Sequence, residues 1–140
     1  MSWPLTVAEV ERRADGRCEY CRMHQSLQGA TFHVEHILPV VRGGVSESSI
    51  LAWACPGCNL HKSDRTEVVD METSESVPLF HPREHDWSDH FAWDGFRLLG
   101  LTSIGRATIL ALHLNHDRRL RIRQAEQLFG LFPPESESAS

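Results

Sequence analysis

The sequence has no run of about 18 or more apolar residues, the length an α-helix needs to cross a bilayer. Its amino terminus carries no charged, then apolar, then small-residue leader. A soluble, unexported, cytoplasmic chain is the expectation. Basic side chains are in deficit: 14 Lys and Arg stand against 19 Asp and Glu, a formal net charge of -5. That balance excludes a protein that holds nucleic acid by bulk electrostatics, because the attraction comes from cations neutralising phosphates. Any nucleic-acid contact has to be local. There is no internal repeat, and 140 residues are too few for two independent cores. Cysteine is scarce, with four in total. Without an export signal these are expected to be reduced, which favours metal binding over a disulfide framework.

What is present suffices for a globular fold, since 41% of the residues are hydrophobic. Thr6 with Glu9 three residues later forms a capping pair, and Gly16 is a stop, so a short helix is predicted over about residues 6–14. Residues 65–86 hold acidic and hydroxyl side chains with prolines at 78 and 82 and no sustained period, which reads as an irregular connection. His90–Thr102 reads as a hairpin around Asp94-Gly95. Thr102 or Ser103 then caps a helix with Ile104, Ala107, Leu110, Ala111 and Leu114 on one face. A second helix is predicted within 116–132, its arginines at 118, 119, 121 and 123 mostly outside. The fold class is α+β: one domain over 1–132, with 87–132 a hairpin-helix extension and 133–140 a disordered tail.

The cysteines form two C-x-x-C pairs, Cys18-Glu19-Tyr20-Cys21 and Cys55-Pro56-Gly57-Cys58, with 33 residues between them. A C-x-x-C turn lets one short backbone segment offer two thiolates, and zinc takes four such ligands in a tetrahedron. Gly57 eases the second turn. Four cysteine ligands leave no open position, so this zinc fastens the ends of the inserted segment and takes no part in chemistry. A redox reading of CPGC leaves the other pair unexplained.

Between the pairs, Phe32 to Leu38 reads as a strand ending at Pro39, with Gly43-Gly44 marking a loop and Ser48 to Ala54 a second strand. Alternation places His33, Glu35 and Ile37 on one face and Val34 and His36 on the other. A twist, bulge or strand end is needed for Glu35 and His36 to address one site. Residues 58–64 follow as a short helix on which Asn59 and Lys62 share a face, while His61 lies about 200° round from Asn59.

Taken together, the motifs Cys18-x-x-Cys21, His33-Val34-Glu35-His36-Ile37-x-Pro39, Gly43-Gly44 and Cys55-x-x-Cys58-Asn59-x-x-Lys62 resemble the HNH endonucleases, specifically small bacterial stand-alone members with a four-cysteine zinc site. The resemblance of motif covers residues 18–64, and the stretch from Trp87 to Asn115 is similar to the extension in such proteins. It implies a ββα-metal (His-Me finger) core over 18–64 and hydrolysis of DNA, or of RNA, with no membrane partner. It implies His36 as general base on water, and Glu35 and Asn59 as ligands of a catalytic Mg2+ or Mn2+. Hard oxygen ligands suit those ions, and an imidazole titrates near cellular pH. The sequence departs from the family at three positions: Glu35 stands for the usual Asp, Asn59 for the more common His, and Ile50 for the asparagine of the second strand.

Plainer readings stand beside these. His36 could be an ordinary surface or zinc-proximal histidine. His33, His61 and Lys62 are weak candidates for substrate contact, each with a solvated side chain as its alternative. Trp53, Trp87, Phe91 and Trp93 read as core. His81, His85 and His90 are scattered in the sequence and are assigned no role. The arginines at 118–123 suggest either a phosphate track or a solvated helix. The rival from another class is a catalytically silent zinc-binding module that recognises nucleic acid or protein.

Overall fold

The computed structural model describes residues 2–134. From residue 135 on, the tail expected to be disordered lies outside the described residues. Helix α1 spans Trp3–Ala14 and starts earlier than the Thr6 capping pair suggests. Ser2 is the cap, its Oγ accepting from Leu5 N, and Pro4 sits in the first turn, where its missing N–H costs nothing. Thr6 instead turns inward and donates to the Ser2 carbonyl at 3.0 Å. Thr6, Val10 and Ala14, spaced four apart, form the buried stripe.

Strands β1 (His33–His36) and β2 (Leu51–Ala54) pair antiparallel, His33 opposite Ala54 and His36 opposite Leu51. Both are shorter than predicted; Ser48–Ile50 forms a 3-10 turn. Every residue of β2 is buried, with α1 laid over it and Arg13 donating to the Leu51 carbonyl at 2.8 Å. Helix α2 (Pro56–Lys62) follows at once, with Cys55 as its cap. The order is therefore strand, strand, helix, with a cysteine at the strand-helix junction.

Residues 65–86 are more ordered than their composition suggests. Strands β3 (Glu67–Val69) and β4 (Ser76–Pro78) form a hairpin, too short to show a period. Buried Asp70 organises its turn, accepting from Thr73 Oγ1 at 3.1 Å and from Arg106 Nη2 at 2.9 Å. After the single turn of α3 (Trp87–His90), β5 (Phe91–Asp94) and β6 (Arg97–Gly100) form the expected hairpin, with Gly95-Phe96 as the loop and Gly95 at φ +60°. Trp53, Trp87 and Phe91 are core residues, as expected, and Trp93 is half-buried.

Helix α4 (Ser103–Ala111) is capped by Thr102, whose Oγ1 accepts from Gly105 N at 3.1 Å. Its inward face runs through Gly105, Ala107 and Thr108, while Leu110 is exposed. Helix α5 (Asp117–Leu128) departs in part from its expected polarity: Arg118 and Arg121 are exposed as predicted, but Arg119, Arg123 and Glu126 are buried and Leu128 is exposed. No helix among the described residues is long and apolar enough to cross a membrane.

Candidate metal centre and hairpin site

The two cysteine pairs converge. All four sulfurs lie within 4.8 Å of one another and all four residues are buried. Backbone geometry sets each pair: Arg22, in the left-handed region at φ +66°, donates its N–H to the Cys18 carbonyl, and Cys55 as helix cap takes the Cys58 N–H on its sulfur. Glu19 fastens the first knuckle to the end of β2, its N–H donating to the Trp53 carbonyl at 2.8 Å and its carboxylate accepting from Trp53 N at 3.0 Å.

The cage fits a tetrahedral ion. Ligands at about 2.3 Å from zinc stand about 3.8 Å apart along a tetrahedron edge, and Cys21 Sγ is 3.8 Å from Cys55 Sγ. Charge gives an independent test. Arg119 is buried to 6% exposure, and its Nη1 donates to Cys58 Sγ at 3.3 Å and toward Cys55 Sγ at 3.8 Å. Among the described residues no carboxylate pairs with it. A buried guanidinium needs an anion, and thiolates are the anions within reach. Burial works against its charged form, but the sulfurs of Cys58, Cys21 and Cys55 outweigh burial and raise its pKa.

The hairpin site is tied to the knuckles through Tyr20 of the first pair and Lys62 of α2. Glu35 is buried, its Oε2 accepting from Tyr20 Oη at 2.7 Å and its Oε1 paired with Lys62 Nζ at 2.6 Å. Lys62 is itself 1% exposed and also donates to the Ile37 carbonyl at 3.1 Å. It is thus a structural cation under the hairpin, not a lysine open to phosphate. Burial raises the Glu35 carboxyl above the usual range, and the Lys62 ammonium is the largest influence pulling it back. His36, at the end of β1, is half-buried, with Nε2 3.0 Å from Ser46 Oγ in the glycine loop. The Trp3 ring lies nearly parallel to it, 9° between planes and 6.2 Å between centroids. Because the strand ends at His36, its ring reaches that loop while Glu35 turns inward. The pair does not share a face.

Asn59 is exposed on α2, and His33 is exposed at the start of β1. His61 is half-buried against His113, their rings 4.2 Å apart, and burial followed by His113 lowers its pKa. The glycine loop is stringent at both glycines: Gly43 adopts φ +93°, and a Cβ on Gly44 would stand 1.8 Å from the Leu38 carbonyl oxygen.

Several members of this arrangement are not legible as site residues in the sequence: Tyr20, Ser46, Trp3 and Arg119. Tyr20 had a signal, being a large aromatic residue between two buried ligands. The scattered histidines also come together, with His85 5.1 Å from His90 and 6.2 Å from His81, ring to ring, around buried Phe80. Their Nδ1 atoms are engaged, that of His81 accepting from Arg83 and Glu84 N–H, that of His85 from His81 N–H, and that of His90 lying 2.6 Å from Thr102 Oγ1.

A two-stranded hairpin and a helix are thus joined to a buried four-cysteine cage that can hold a metal ion, with a histidine at the strand end. The HNH endonuclease family model matches residues 18–65 of the 140, the segment that holds both cysteine pairs, β1, β2 and α2. No curated protein and no solved structure matches the chain.

Proposed function

We propose that the chain is a zinc-stapled endonuclease that hydrolyses phosphodiester bonds of DNA, with residues 1–132 acting as one domain and residues 18–64 as a ββα-metal core. The observation that carries the reading is the half-buried His36 at the end of β1, held by Ser46, inside the segment matched by the family. With Nε2–H donating to Ser46 Oγ, Nδ1 is left to take the proton from an attacking water. The zinc, held by Cys18, Cys21, Cys55 and Cys58, fixes the two ends of the segment.

A catalytic Mg2+ or Mn2+ would be held by Glu35 and Asn59. The donors fit a hard ion in kind: each Glu35 oxygen has spent one of its lone pairs, on Lys62 or Tyr20, and Asn59 offers an exposed amide oxygen. Such an ion supplies positive charge to the phosphate oxygens as the P–O bond breaks. Lys62 and Tyr20 keep the carboxylate oriented. Exposed His33 and half-buried His61 are the side chains available to the flanking strand.

Cleavage of a supercoiled plasmid tests the proposal, using wild type and His36→Ala with magnesium, with manganese and with neither. The expected result is nicking by wild type alone and only with added metal, at a rate at least about a hundredfold above the variant, the scale of a lost general base. A second reading, the silent binding module, draws on the Lys62 pair already occupying Glu35 and on Ile50 in place of the strand asparagine. DNA binding without cleavage by folded, zinc-loaded wild type selects it.

A further inference from the structure

The cysteine cage is completed from outside the matched segment. Zinc with four thiolates carries a net charge of about -2, and this cage is fully buried, where an uncompensated charge is costly. Arg119 lies on α5, far beyond residue 65, yet its guanidinium spans the sulfurs of Cys55 and Cys58 with Nη1 while Nη2 donates to the Leu112 carbonyl at 2.9 Å. That second bond fixes the plane of the fork, so Nη1 is aimed and not merely near.

The second knuckle is shaped to admit it. A Cβ on Gly57 would stand 2.9 Å from Arg119 Nη2 and 3.5 Å from Cζ. The glycine of CPGC therefore leaves room for a cation as well as easing a turn.

We infer that Arg119 is the counter-cation of the zinc thiolate centre, and that the carboxy-terminal extension is part of that centre. The inference rests on the zinc reading. Arg119 is a positioning residue: by donating to two thiolates it offsets the charge of the centre and holds the ligands in place, which slows the loss of the metal. Charge is the operative property. A lysine retains it without the fork, whereas glutamine retains a donor without it.

The test uses the full-length, zinc-loaded protein well below its unfolding temperature, with release followed by a chromogenic chelator. Wild type is compared with Arg119→Lys, Arg119→Gln and Arg118→Gln, the last on an exposed neighbour. Arg119→Gln is expected to release zinc about tenfold faster, the scale of one lost charge-assisted hydrogen bond. Arg119→Lys is expected to stay within about threefold of wild type, and Arg118→Gln to be unchanged. In cobalt-loaded samples the thiolate-to-metal charge-transfer band of Arg119→Gln moves to lower energy, because thiolates without a cation beside them give up electrons more readily.

Equal release from the Lys and Gln variants, or an unmoved band, overturns the inference and leaves Arg119 a packing residue. Should Arg119→Gln fail to fold, Gly57→Ala replaces it, keeping the charge but crowding the guanidinium; faster release with a moved band supports the inference, and wild-type behaviour overturns it. Wild type that binds no zinc overturns the zinc reading itself, with Arg119 following from it.

Discussion

Replacing Lys62 by Met removes the cation beneath the hairpin and leaves Glu35 buried without its partner. The two are 2% and 5% exposed at the side chain and 2.6 Å apart. Breaking such a pair from one side costs about 3–5 kcal/mol, because the remaining charge is uncompensated. With a urea m-value of about 2 kcal/mol/M, the midpoint falls by about 2 M at pH 8. The sign of the pH dependence follows from Glu35. Its carboxyl is raised by burial and held back chiefly by Lys62, so the variant raises it further. An acid whose folded pKa lies above its unfolded value costs stability as pH rises between the two, and costs nothing below the unfolded value. The deficit of Lys62→Met is therefore expected to be largest at pH 8 and to shrink toward pH 5. Lys62→Met with Glu35→Gln restores most of the loss, since Gln needs no cation and can still accept from Tyr20. Urea titrations of all three variants and wild type, followed by tryptophan fluorescence at one fixed free-zinc concentration, decide the matter. A midpoint within about 0.5 M of wild type at pH 8, or a deficit independent of pH, refutes the reasoning.

Gly44→Ala is expected to destabilise by at least about 2 kcal/mol, since the added methyl would overlap the Leu38 carbonyl oxygen and the loop that brings Ser46 to His36 must move; thermal unfolding reads the loss, and plasmid nicking should fall with it. If DNA is the substrate, its attraction to this acidic chain is local. The logarithm of affinity against the logarithm of salt, measured with calcium in place of a catalytic ion, should have a slope no steeper than about -3, the value for about three neutralised phosphates. A slope twice as steep points to a basic track elsewhere on the surface.

The features legible in the sequence are those whose cause is local. Each cysteine pair is a turn with its own spacing; Thr102 caps α4 through a bond to Gly105, three residues on; and the β5–β6 hairpin is signalled by apolar residues around a glycine. Length already limits this legibility. β3 and β4 have three residues each, too few to show a period, so their hairpin is hidden in a polar stretch whose order comes from Asp70 and Arg106, 36 positions apart. The start of α1 fails for a related reason: Thr6 has the spacing of a cap, but the helix needs it in the buried stripe, and Ser2 serves instead.

The deeper failures all concern buried charge. A pattern reading sends Arg, Lys and Glu to water because that is where an isolated charge is cheapest. Here Lys62 meets Glu35 across 27 positions, and Arg119 meets Cys58 across 61. Arg123 is fully buried, giving its N–H groups to the carbonyls of Phe96 and Leu114 and its face to Trp93, 5.1 Å away. None of these partners is near enough in sequence to be seen. Each burial is tolerable only once the fold has assembled and the partner is in place. The consequence for function is direct. Three cations that composition would offer to a nucleic acid are used inside the protein, two of them against the hairpin carboxylate and the cysteine cage. Exposed arginines such as Arg42 and Arg118 remain at the surface to meet a phosphate, while the proposed hydrolysis itself rests on His36 and on a hard metal ion.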